Sequence, residues 1–307
     1  MKVFITGGTG FLGAALTEKL LTEGHLVTIL SRSLDNRAMK AGLAYTLGNP
    51  AKSGSWQEEL SRHDVVINLA GASIFRPWNT RTKEAIYNSR ILTTRNIVDA
   101  IAKHADKEIT FLSGSAVGFY GFRDNEELDE SSSPGDDFLA TVVRDWENEA
   151  IKAEEYGARV VLCRIGVILG KDGGALSKMV SVFKWCIGSP LGSGKQWFSW
   201  VSLPDLVNIF LFLMENKTIS GPVNCTSPHP VTNRKMTYAL GKALHRPIIL
   251  PPVPAFLLRA ILGEFSDVFV KGQKVIPAKL LKNGFVFKFP DIKDAFSHLI
   301  KLSPNKK

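Results

Sequence analysis

The first thirteen residues, MKVFITGGTGFLG, constrain this chain more than any other stretch. Lys2 to Thr6 is a short apolar run of the kind that forms a buried strand. Gly7, Gly10 and Gly13 follow as Gly-x-x-Gly-x-x-Gly, ahead of the apolar-periodic segment Phe11 to Leu21. The order predicts a strand, a tight turn and a helix. Each glycine answers a separate need: a sharp exit from the strand, backbone able to approach a pyrophosphate, and close packing of the helix on the sheet. An anion placed there meets the unpaired amides and positive dipole end of a helix N-terminus. The expectation is a dinucleotide site built from Gly7, Thr9, Gly10, Phe11, Leu12 and Gly13. Glycine triplets elsewhere are often no more than turns, and the position between strand and helix is what makes this one informative.

With 307 residues, 45% hydrophobic and 22% charged, the chain has the composition of a globular protein large enough for one big domain or two small ones. Its formal charge of +9 raises the question of nucleic acid or a membrane surface. The basic residues are scattered, however, and the only local cluster is the tail Lys301 to Lys307, read as a solvated end. No aromatic-and-basic recognition motif accompanies them. Cys163, Cys186 and Cys225 are odd in number, far apart and in apolar surroundings, which fits buried thiols in a reducing compartment. The six histidines pair with no Cys, His or carboxylate at ligand spacing, so no metal is expected. The apolar start belongs to a strand broken by glycines rather than to a signal peptide. Leu206 to Met214 falls short of the about 20 residues a bilayer span takes. The expectations are a cytoplasmic protein with a small-molecule substrate, no nucleic acid and no membrane partner, and a homodimer left open.

Strands and helices alternate through the first half, the pattern of a doubly wound parallel sheet. Strands are predicted at Leu26 to Leu30, Leu43 to Leu47, Asp64 to Leu69, Ile109 to Leu112 and Arg159 to Arg164. A long helix is predicted over about Thr80 to Lys103, and another, after the acidic loop Arg123 to Asp137, over Phe138 to Tyr156. Beyond Gly170 glycines and prolines become frequent, and helices at Leu203 to Met214 and Asn233 to His245 alternate with short extended pieces. The predicted organisation is therefore an α/β, Rossmann-type nucleotide domain over residues 1–170 and a smaller, irregular substrate-side lobe over 171–307.

The second strand ends Leu30-Ser31-Arg32-Ser33, where an NAD site usually carries an Asp or Glu for the ribose 2′-hydroxyl. A guanidinium and a hydroxyl suit a 2′-phosphate instead. NADP is therefore the expected cofactor, with Ser31 and Arg32 as contacts and Arg37 as a second basic one; the alternative for Arg32 is an ordinary surface cation.

With TGGTGFLG, NLAG at Asn68 to Gly71 and the serine-rich end of the fifth strand in view, the chain resembles an extended short-chain dehydrogenase/reductase. It is most similar to the atypical NADP-binding "epimerase family" group, sometimes labelled cell-division-inhibitor-like. SR at Ser31-Arg32, NSR at Asn88 to Arg90, WE at Trp146-Glu147 and RIGVILG at Arg164 to Gly170 carry the closer match, together with GSGKQWFSWVSLPDL and GQKVIPAKLLKNGFVFKFP further on. The resemblance implies that Leu69, Ala70 and Gly71 line the adenosine side and that Arg90 approaches the cofactor. Ser113 and the backbone around Val167 and Ile168 would flank the nicotinamide half.

Active members of that superfamily use a Ser or Thr with a Tyr-x-x-x-Lys pair to exchange a proton while hydride moves. Ser115, in SGSAVGFYG, matches the serine. Aligning Glu147 with the family's helix glutamate puts the Tyr and Lys positions near Leu139 and Val143, and neither can move a proton. Tyr238 to Lys242 spells the motif by chance in the second lobe. Tyr120 is the candidate replacement acid, set against the reading that it only packs beside the cofactor. The carboxylates of the acidic loop read as a solvated surface. The aromatic loop Lys195 to Trp200 either roofs a substrate cleft or pins the lobes together, and the apolar segments Ala255 to Leu262 and Phe265 to Val270 read as lobe core in preference to a contact surface. Two functions follow: an NADP-dependent oxidoreductase or nucleotide-sugar-epimerase-like enzyme, or a non-catalytic NADP-binding sensor or scaffold.

Overall fold

The computed structural model describes residues 1–35, 40–105, 107–171 and 173–301. Arg37 and the end of the basic tail lie outside the described residues. The predicted opening forms as strand β1 Lys2–Thr6 and helix α1 Phe11–Thr22. Val3 and Ile5 face one side of the sheet and Phe4 the other, while Leu12, Leu16 and Leu20 form the buried stripe of α1. Strands β2 Leu26–Ser31 and β3 Leu43–Leu47 follow, then the short helix α2 Trp56–Leu60, β4 Val65–Asn68 and helix α3 Thr80–Ala102. β5 Thr110–Ala116 runs on to the sheet's carboxyl edge, and a 3-10 turn over Val117–Tyr120 succeeds it. The two-residue strand β6 Glu127–Leu128 precedes helix α4 Phe138–Ile151, whose first turn is capped by the Asp137 carboxylate accepting from the Ala140 amide. Lys152–Tyr156 continues α4 as a 3-10 turn, so the single helix expected to Tyr156 ends one turn early.

β7 Arg159–Ile165 is followed by β8 Val167–Gly170, helix α5 Gly174–Lys184 and the short strands β9 Trp197–Phe198 and β10 Trp200–Ser202. Then come helix α6 Leu203–Glu215, β11 Gly221–Cys225, β12 Val231–Thr232, helix α7 Asn233–Ala243 and helix α8 Ala255–Leu262. The main sheet is parallel, with seven strands in the order β11-β7-β5-β4-β1-β2-β3. Its order reverses between β1 and β4, which opens the crevice where ligands of such folds bind.

One boundary differs from expectation. β11 pairs with β7 as the sheet's last strand, and α6 packs beside α1 in the core over one sheet face. A division at Gly170 therefore cuts through the nucleotide domain. β11 reads poorly as a strand because it opens Gly221-Pro222, both residues that strands disfavour; at a sheet edge they are tolerated. The smaller lobe is built mainly from α5, α7 and the terminal helix Ile292–Lys301 around Leu176, Phe183, Trp200, Leu240 and Phe296. No helix among the described residues is long and apolar enough to cross a membrane.

Candidate functional site

At the crevice, Gly7 has a φ of +72°, and a Cβ there would lie 2.7 Å from the Leu69 carbonyl carbon. Only glycine lets β1 turn this close to the chain leaving β4. Gly10 caps α1 with extended backbone, its amide donating to the Gly7 carbonyl at 2.9 Å. A cavity of about 180 Å³ lies against this turn, lined by Gly7, Gly10, Gly13, Phe11, Leu12 and Leu69, and on its other side by Gly114, Ser115, Trp146, Ile165 and Ile168. Phe11 is gripped by the β8–α5 turn, where a Cβ on Gly170, Gly173 or Gly174 would lie within 2.9 Å of its ring. That grip ties the smaller lobe's first helix to the glycine turn.

Beside the cavity, Arg90 reaches from α3 across Gly71, whose would-be Cβ lies 3.2 Å from the guanidinium carbon. It donates to the Ala72 and Ile86 carbonyls and lies over the Trp146 ring. No carboxylate pairs with it among the described residues, and burial pulls its pKa down to about 10. A cation so enclosed calls for an anion. The open glycine cradle and this unneutralised charge together fit a dinucleotide. Thr9 is exposed on the turn, Ala70 follows Leu69 out of β4, and Val167 donates its amide to Ser199 beside Ile168. Ser31 is buried at the end of β2, its hydroxyl donating to the Ser33 carbonyl, and Arg32 is exposed immediately after it.

Sheet register assembles the reactive end. Asn68 stands opposite Ser113 and Ser115 opposite Arg164, so β5 carries Ser115 beyond the end of β4. The Ser115 hydroxyl donates to Glu147 Oε1 at 2.5 Å, and Arg164 grips the same carboxylate with Nε to Oε1 and Nη2 to Oε2, both at 2.8 Å. All three side chains are buried. Burial alone would weaken the Arg164 guanidinium's hold on its proton; Glu147, aided by Tyr120, reverses this and holds it above the ordinary range. Trp146, the neighbour of Glu147 on α4, donates to Thr94, which also accepts from the Asn68 amide. Ser113 is buried with its hydroxyl donating to the Gly114 carbonyl.

Tyr120 does not join this wall. The 3-10 turn after β5 turns it inward, where it is fully buried, donating to Asn224 Oδ1 at 2.6 Å and accepting from Arg164 Nη1 at 3.0 Å. Burial pushes its pKa up to about 12. Tyr120, the candidate replacement acid, thus gives its proton to Asn224 and is not among the residues that line the cavity. Leu139 and Val143 pack on Gly118, leaving an apolar pair at the positions aligned with Tyr and Lys. Tyr238 is half-exposed on α7. The Lys195 to Trp200 loop serves packing: Trp200 is fully buried, Trp197 bonds Asn125, and Gln196 donates to the Leu191 and Phe269 carbonyls. Sequence reasoning missed the Ser115–Glu147–Arg164 cluster. The available signal was Arg164 itself, a charge inside the otherwise apolar strand VVLCRI.

Fold and site together define a protein of the dinucleotide-binding, doubly wound class. The NAD dependent epimerase/dehydratase family matches residues 3–225, a domain of unknown function (DUF1731) matches 253–299, and the chain belongs to that epimerase/dehydratase family. It is 41% identical to the chloroplastic epimerase family protein SDR39U1 homolog of Arabidopsis thaliana, over 98% of this chain and 87% of that one. With epimerase family protein YfhF of Bacillus subtilis it shares 40% identity over 98% of both chains. Among solved structures, human epimerase family protein SDR39U1 (isoform 2) with NADPH superposes with a TM-score of 0.85 and 31% identity, covering 99% of this chain and 100% of that one. A Thermus thermophilus UDP-glucose 4-epimerase complex with NAD, at 18% identity and a TM-score of 0.74, shares the fold.

Proposed function

We propose that the protein is an NADP(H)-dependent oxidoreductase or epimerase-like enzyme of a small molecule, in which Ser115 and Glu147 handle the proton in place of a Tyr/Lys pair. The observation that carries this reading is the Ser115 hydroxyl in the cavity wall, donating to a carboxylate held by two parallel bonds from Arg164. Gly7, Gly10, Gly13 and Arg90 would hold the diphosphate region and Arg32 the 2′-phosphate, as the NADPH bound to the human relative supports. The nicotinamide, when bound, supplies or takes up the hydride. The chain's own part is the proton. A substrate hydroxyl passes its proton to Ser115 Oγ while Ser115 passes its own to Glu147, and the same path runs backwards when a carbonyl is reduced. Arg164 fixes the acceptor oxygen in place throughout.

A specific observation favours a second reading, the non-catalytic sensor or scaffold: the apolar Leu139 and Val143 packed against Gly118. Titration with NADPH and NADH, followed by incubation of the complexes with carbonyl and alcohol libraries, separates the two. Selective NADPH binding with turnover is expected, and Ser115→Ala should reduce turnover by about a hundredfold or more while NADPH affinity is unchanged. Tight binding without turnover would give the protein to the second reading.

Arg32→Asp isolates the cofactor preference. A charge-assisted contact is lost and a repulsion introduced, so NADPH affinity should fall by roughly ten- to a hundredfold while NADH affinity is retained. Equal NADPH affinity in this variant would remove Arg32 from the site.

A further inference from the structure

The chain from Gly173 to Gly263, which carries much of the smaller lobe, contains only two acidic residues, Asp205 and Glu215, among its many lysines and arginines; Glu264 and Asp267 follow it, paired with Lys83 and with Arg259 and Lys271. Asp205 is buried, its carboxylate accepting from the Lys288 and Phe289 amides. Glu215 ends α6 near His25, at the far, amino edge of the sheet. The remaining exposed charge on this stretch is basic.

The same stretch also exposes large apolar side chains. Trp185 is 80% exposed, Ile249 72%, Phe256 73% and Ile261 71%, and none of the eight residues of α8 is buried. Backbone pairing joins the two segments that carry Trp185 and Ile249. Leu191 bridges Val253 in parallel, Val253 donates to the Pro190 carbonyl, and Ser189 donates its hydroxyl to the Pro251 carbonyl. Ile187, itself 55% exposed, lies two residues before Ser189 and Ile249 two before Pro251, with Lys184 and Arg246 close by in sequence. From the end of the paired segment Pro254 leads straight into α8, which presents Phe256 and Ile261, its Arg259 pairing with Asp267.

We propose that this face of the smaller lobe docks on an anionic lipid bilayer, beyond anything the nucleotide site requires. A bilayer supplies both of the phases that the face calls for: hydrocarbon at the headgroup boundary for Trp185, Ile249, Phe256 and Ile261, and anionic headgroups for Lys184 and Arg246, while Arg259 is paired with Asp267. A second copy of the chain fits less well. An isologous contact sets the same patch against itself, so a basic face would meet a basic face. The docking is peripheral and salt-sensitive, because its charge contribution is screened within a Debye length.

The test is co-sedimentation of the full chain with vesicles of phosphatidylcholine alone or of phosphatidylcholine with phosphatidylglycerol. Binding is expected to the anionic vesicles, weakening with salt. Lys184→Gln with Arg246→Gln should weaken it by about 25-fold, about fivefold for each cation, and Phe256→Glu should weaken it with the cations intact. NADPH affinity, unchanged in all variants, reports that they are folded. No binding to anionic vesicles, or wild-type binding by folded variants, overturns the proposal. A dimer in sedimentation velocity that Phe256→Glu dissociates would instead assign the face to a second copy.

Discussion

Gly13→Ala is expected to remove nucleotide binding and to lower stability at the same time. A Cβ at Gly13 would stand 2.3 Å from the Gly7 carbonyl oxygen and 2.6 Å from Gly8 Cα, and both are backbone atoms with no rotamer to change. Either α1 lifts off the turn or the turn itself opens, and each moves the helix N-terminus away from where a diphosphate is held. Overpacking of this kind costs about 1–3 kcal/mol, and NADPH affinity should fall by more than about a hundredfold, equivalent to about 2.8 kcal/mol. Gly10→Ala is the control. Its Cβ would meet the Gly7 carbonyl oxygen at 3.2 Å, a contact that small shifts relieve, so the fold should survive while the approach to the nucleotide is obstructed. Thermal unfolding with and without NADPH reads both effects. The wild type should gain melting temperature on adding nucleotide; Gly13→Ala should melt lower and gain nothing. A nucleotide-induced shift of wild-type size in Gly13→Ala would show that the turn does not hold the diphosphate.

The contrast between these two glycines also explains what was legible in the sequence. β1, the turn and α1 were readable because every constraint on them is local: an apolar alternation, three glycines and an i, i+4 stripe in consecutive residues. β4, β5 and β7 were readable for the same reason, with ends shifted by a few residues. β11 was not, because Gly221-Pro222 is a poor strand by propensity and is made one by its neighbour β7. The Ser115 cluster lay further out of reach. Glu147 is on a helix and Arg164 on a strand, and they meet only because β5 and β7 are neighbours in register and α4 covers them. Tyr120 shows the opposite error. Five residues from Ser115 in sequence suggested the same cavity, whereas one 3-10 turn was enough to point the ring into the core. The apolar face on α8 was legible as apolar, but its exposure depends on how little of the rest of the lobe packs over it.

Arg164→Ala should be among the most destabilising single substitutions in the chain. Glu147 is buried and would lose both bonds from its guanidinium partner, keeping only the Ser115 hydroxyl. Tyr120 would lose a donor, and the Phe119 ring the cation lying 3.5 Å from its centroid. Breaking a buried pair from one side costs about 3–5 kcal/mol, because a carboxylate is left without compensation; against a typical total of about 5–15 kcal/mol, much of the stability goes. The discriminating variant removes both charges. Glu147→Leu with Arg164→Met leaves neither partner of the pair ionised and should be markedly more stable than Arg164→Ala or Arg164→Met, a non-additivity that urea unfolding of the double-mutant cycle measures. The double variant should also separate the pair's two roles. If Glu147 serves only to hold the fold, the recovered protein will keep whatever turnover the wild type has; if it receives the Ser115 proton, stability will return without activity. Additive effects across the cycle would mean that the pair is solvated in solution, and Ser115 would then lack a fixed acceptor.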